Sequence, residues 1–146
     1  MRTIRLSLVL AIVAIGVMTV APAASATPRS GDLHITKDCS EYVGQAGGFC
    51  TVTSSNVPAV PAGARIVYAS AAGATTLDTD ISISAGPGNV ASGHCTLDFL
   101  ALPGVCTLSG GTGKFTHIQA SVVVSPDGVT LNEWHWDGTF AFGAGS

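Results

Sequence analysis

Between Glu133 and Phe142, polar and apolar side chains alternate. Trp134, Trp136, Phe140 and Phe142 fall on one side of an extended chain, and Glu133, His135, Asp137 and Thr139 on the other. A period of two marks a half-buried β-strand. The same alternation sets Leu77, Thr79, Ile81 and Ile83 against Asp78, Asp80, Ser82 and Ser84, and Ile118, Ala120, Val122 and Val124 against His117, Gln119, Ser121 and Val123. No stretch after the first two dozen residues carries the 3.6-residue period of an amphipathic helix. Short runs of this kind, cut by turn residues, predict eight strands at 31–38, 49–56, 64–71, 77–85, 90–98, 104–110, 114–125 and 133–142. The breaks at Gly86-Pro87-Gly88-Asn89, Gly110-Gly111-Thr112-Gly113 and Pro126-Asp127-Gly128 supply a fixed or a positive φ.

The expected fold is an all-β, eight-stranded antiparallel β-barrel, with a secreted β-sandwich as the alternative. Closure removes exposed strand edges, and a barrel of this size is filled by side chains or holds one small ligand. Two orientations of the strand faces are open. With the wetter face inward, His94, His117, His135 and Asp137 would line a cavity, and histidine there could act as acid or base near neutral pH. The usual burial of the apolar face favours the other orientation, in which Trp134, Trp136, Phe140 and Phe142 turn inward. The pocket would then be apolar, with Tyr68 and the indole N–H groups as its polar handles. The ligand-binding candidates are therefore Tyr68, Trp134, Trp136, Phe140, His94, His117 and His135.

The N-terminus changes the compartment. Arg2 and Arg5 precede an apolar run from Leu6 to Val20, and Ala24-Ser25-Ala26 follows as a small-residue cleavage site. This is the pattern of a secretory signal peptide, and the run is shorter than the ~20 residues that span a bilayer. The expected organisation is a signal peptide at 1–26 and a single secreted domain at 27–146. Residues 27–146 hold four basic residues against nine acids, a formal net of −5. Phosphate binding needs clustered cations, so nucleic acid is excluded as a partner, and an anionic membrane surface after cleavage is excluded likewise.

The chain has four cysteines: Cys39, Cys50, Cys95 and Cys106. An even count in an exported chain reads as disulfides. Of the possible pairings, Cys39–Cys50 and Cys95–Cys106 are favoured, because each would bridge neighbouring strands of one hairpin; each is worth about 3 kcal/mol as loop-closure entropy. Zinc ligation needs shorter ligand gaps than these, and Asp78 and Asp80 lack the loop of oxygen ligands that calcium requires. No metal or cofactor is expected.

The segment Ser109-Gly110-Gly111-Thr112-Gly113-Lys114-Phe115, with Gly93-His94-Cys95-Thr96 and Trp136-Asp137-Gly138-Thr139-Phe140, resembles the allene oxide cyclase and dirigent protein superfamily of eight-stranded barrels. The resemblance implies the fold, a cavity and a homo-oligomer. It carries over no active site: relatives continue with Gly-Ala-x-Gly where this chain has Thr116 to Ala120, and their pocket acids have no counterpart here. Lys114 is followed by Phe115 rather than Ser or Thr, so the glycine-rich turn is not a phosphate loop. No nucleophile motif is present. The expected function is binding of a small apolar molecule in the barrel. A cyclase or coupling-guide enzyme, working mainly by orientation, and a structural or protein-binding extracellular module are the alternatives. Whether the chain is an enzyme stays open.

Overall fold

A computed structural model describes residues 29–143; the expected signal peptide lies outside them. Eight strands run in chain order: β1 (Ser30–Asp38), β2 (Phe49–Ser55), β3 (Arg65–Tyr68), β4 (Thr76–Ser84), β5 (Val90–Asp98), β6 (Gly104–Gly111), β7 (Ile118–Pro126) and β8 (Glu133–Phe142). Each pairs antiparallel with the next, and β8 returns to β1, so the sheet is a closed eight-stranded barrel. The seam runs in unbroken register from Ser30 opposite Ala141 to Asp38 opposite Glu133. Among the described residues no helix is long and apolar enough to cross a membrane.

The apolar side of each strand faces inward. Leu33, Ile35, Val52, Ile66, Leu77, Ile81, Ile83, Leu108, Val122, Val124, Trp136 and Phe140 all belong to one buried core. Both predicted disulfides form, Cys39–Cys50 and Cys95–Cys106. Cys95 and Cys106 are direct register partners on β5 and β6, and both point into the core.

The predicted seventh strand differs at its start. Residues 114–117 do not extend it; Gly113–Phe115 form a single 3-10 turn and the strand begins at Ile118. The cause is Phe115, which is fully buried and turns under the barrel end. The backbone N–H of Lys114 donates to Asn89 Oδ1, and His117 takes a positive φ of 61° to bring the chain back into the sheet. The glycine-rich segment thus makes a β-bulge at Gly110, the extra residue where β6 passes β5, followed by this turn.

The two barrel ends differ. At one end the β2–β3 connection folds Val57, Ala59, Val60 and Ala64 into the core, and Phe115 joins them. At the other end lie the connections 39–48, 69–75, 99–103 and 127–132, and all but 69–75 leave large apolar side chains in solvent, among them Val43, Leu100, Val129 and Leu131. The first end is plugged and the second is open.

Close strand approach fixes one glycine on the last strand. A Cβ at Gly138, between the inward-facing Trp136 and Phe140, would run into the backbone of Ser121 and Val122 on β7. Gly138→Ala is expected to lower stability by about 1–3 kcal/mol through overpacking. A urea-unfolding midpoint equal to wild type would contradict this packing.

Candidate functional site

The alternation that buries Leu33 and Ile35 continues one step further on β1. Lys37 is the next inward position, and its side chain lies in the core at 2 % exposure. Its Nζ donates to Tyr68 Oη at 2.6 Å. The amine also lies over two aromatic faces, 4.8 Å from the Trp136 ring centre and 5.3 Å from that of Tyr68. These faces and the phenol favour a charged amine, while burial opposes it. Burial dominates and lowers the Lys37 pKa to about 7. Tyr68 shifts the opposite way for the same reason: desolvation, then the charge of Tyr42, raises its pKa, so it stays a neutral phenol.

Lys37 faces a cavity of about 60 Å³ at the open end of the barrel. Its walls include Tyr42, Tyr68, Leu77, Leu97, Val124 and Trp134, with the Cys39–Cys50 disulfide at one side. Tyr42 comes from the β1–β2 loop, and its ring lies 4.7 Å from that of Tyr68. The disulfide anchors that loop at both ends, and the backbone N–H of Tyr42 donates to Cys39 O. The Tyr42 hydroxyl and the Trp136 indole nitrogen are buried with no hydrogen-bond partner among the described residues. Burial raises the Tyr42 pKa. A buried polar atom without a partner is costly, and here an amine and a hydroxyl with spare hydrogen-bonding capacity line the same small space.

The candidates chosen from the sequence divide between this site and the surface. Tyr68 and Trp134 line the cavity, and Trp136 packs against the Lys37 amine. Phe140 is buried further along β8, edge-on to Phe142 at 5.8 Å. The histidines do not converge. His94 lies on the outside of the barrel, with Nδ1 and Nε2 each 2.8 Å from a carboxylate, Asp80 and Asp78 respectively. Both nitrogens donate only in the imidazolium, and these acids, Asp80 foremost, raise the His94 pKa. His135 Nε2 is 2.9 Å from Asp127 Oδ1 on the β7–β8 connection. That contact and the N–H groups of Thr130 and Val129 hold the Asp127 carboxyl down to about 2. Asp127, Glu133 and His135 cluster closely enough to hold a cation; Asp127 and His135 clamp this connection through the contacts above, and the Glu133 carboxylate lies 4.0 Å from His135 Nε2. Asp137 pairs with His34 at 2.7 Å, on the outside. His117 is exposed at the plugged end.

Lys37 and Tyr42 are the residues that sequence reasoning missed. Lys37 is one of the four basic residues in the charge balance of 27–146. The signal was its parity with Leu33 and Ile35 on one strand. Tyr42 lies in an irregular connection where no periodicity applies. No known protein family, curated protein or solved structure matches the chain.

The Lys37 shift makes stability depend on pH. The unfolded lysine titrates at 10.5 and the folded one at about 7, so between these values the unfolded chain binds more protons and stability rises with pH. Below pH 7 the buried charge costs up to ~5 kcal/mol, and raising the pH from 6 to 9 recovers about 2–3 kcal/mol of it. Lys37→Met is expected to be more stable than wild type at pH 6, with the difference shrinking by that amount at pH 9. Urea unfolding of both proteins across this range measures it; a pH-independent difference would place the Lys37 amine in solvent.

Proposed function

We propose that this barrel binds a small molecule with an apolar body and one oxygen acceptor, taken up through the open end. The observation that carries the reading is the Lys37 amine: it is buried, has one oxygen partner in Tyr68, and faces a cavity beside the unpartnered Tyr42 hydroxyl. A protonated amine offers three donors, so a carbonyl or carboxylate oxygen in the cavity would satisfy the rest. The remaining walls are apolar, and the exposed Val43, Phe99, Leu100, Val129 and Leu131 extend that character outward along the ligand's path. The half-open space of about 60 Å³ suits the polar head and first carbons of such a ligand. A cyclase that folds a long substrate within its walls would need far more room.

The two disulfides and the leader-like N-terminus support an extracellular location. The eight-stranded barrel and the Gly-Gly-Thr-Gly-Lys-Phe segment fit kinship with the allene oxide cyclase and dirigent superfamily, and we read the chain as a relative. The apolar loop tips also favour a second reading, a protein-binding module that docks by the same end.

Both tryptophans of the chain adjoin the Lys37 site, so their fluorescence reports occupancy. Titration with butyrate at pH 6 is expected to give a saturable change. Lys37→Met should weaken it at least about tenfold, the loss of one charge-assisted hydrogen bond. Butan-1-ol should bind both proteins alike. No saturable response to either compound in wild type would overturn ligand binding and leave the docking module.

A further inference from the structure

We propose that Lys37 is a carbonyl-condensing amine, forming an imine with short apolar aldehydes that enter the cavity. This rests on the binding reading above and names the substrate class of the same site. Three features of the geometry support it. The amine is the one basic, nucleophilic nitrogen among the described residues lining the cavity, whose walls are otherwise apolar or aromatic. The Tyr68 phenol lies 2.6 Å from Nζ, within range to lend and recover a proton during condensation. Tyr68 Oη also lies 3.6 Å from Cys50 Sγ, a disulfide sulfur that can only accept, so the phenolic O–H points at a weak acceptor from which it is readily lent.

Imine formation needs a neutral amine with a free lone pair, and a lysine desolvated among apolar groups supplies one near neutral pH. The Nζ lone pair attacks the carbonyl carbon, forming the C–N bond. The carbonyl oxygen takes the Tyr68 phenolic proton, and the phenolate recovers one from the nitrogen, giving a neutral carbinolamine. The nitrogen lone pair then breaks the C–O bond, and the hydroxyl leaves as water with the Tyr68 proton. The phenolate takes the proton left on the iminium nitrogen. Amine and aldehyde give imine and water, with no net oxidation. The apolar walls limit the water that would reverse the reaction.

The chain has a built-in control, because its lysines are Lys37 and Lys114 alone, and Lys114 is exposed. The full chain would be treated with butanal and sodium cyanoborohydride near pH 8, digested and mapped by mass. The expected result is a Lys37 peptide heavier by one butanal less an oxygen atom, marked at least about tenfold faster than the Lys114 peptide. Tyr68→Phe keeps the amine and should slow Lys37 marking about tenfold without changing that of Lys114. Lys37→Arg should lose the mark at that position. Marking of Lys37 no faster than Lys114, with butan-1-ol still shifting the tryptophan fluorescence, overturns the imine and leaves binding intact. Absence of both the mark and the fluorescence response overturns the two together.

Discussion

The seam between β1 and β8 joins Ser30 through Asp38 to Ala141 through Glu133 without a break in register. Once that pairing closes the sheet, every strand residue is committed to the inside or the outside. A slip by one residue along the seam would bring Asp32, His34 and Thr36 in and send Leu33, Ile35 and Lys37 out. Burial of Leu33 and Ile35 is worth on the order of 3–6 kcal/mol, and bringing the Asp32 carboxylate and the His34 imidazole inside without partners would cost several more. The charged form of Lys37 costs up to ~5 kcal/mol. The larger sum fixes the register, and the lysine is carried inside with it.

Asymmetry between the ends then decides where this amine can meet a ligand. The plugged end is sealed by Val57, Val60 and Phe115, each nearly or fully buried. Lys37 lies near the far end of β1, where the connections instead leave apolar side chains in water. The Cys39–Cys50 disulfide ties the loop that carries Tyr42 to the same rim. Oxidation of the chain and construction of the site are thereby linked: reduction would free the segment that supplies the unpartnered hydroxyl.

Much of the barrel was legible in the sequence because period-two alternation is a direct image of inside and outside. The Leu77–Ile83 and Ile118–Val124 faces point where their alternation places them, and the cysteine spacing matched the hairpins. The start of the seventh strand was not legible, since a strand pattern and a short turn that tucks one phenylalanine under the barrel look alike over four residues. The site was half legible. Tyr68 and the indoles follow from strand parity. The histidines drew attention as chemistry-bearing residues, yet parity puts His94 among the carboxylates outside. Residue type and position conflict at Lys37: a lysine reads as surface, while Leu33-His34-Ile35-Thr36-Lys37 gives it the same parity as two core residues.

A methionine could fill the position of Lys37 with nearly the same volume and without the penalty of a buried amine. Elsewhere on the barrel walls the large inward side chains are apolar apart from Thr79, whose hydroxyl is hydrogen-bonded, and charges face outward, with His34, His94 and His135 paired with acids. A single inward amine, next to a phenol and an unpartnered hydroxyl at the one unsealed end, departs from that consistency in a specific way. Packing alone does not require nitrogen there. Such departures collect where a molecule binds or reacts, because a desolvated amine loses its preference for the charged form and gains a free lone pair. The fold provides both requirements at once: a register strong enough to hold the lysine inside, and an opening through which something can reach it.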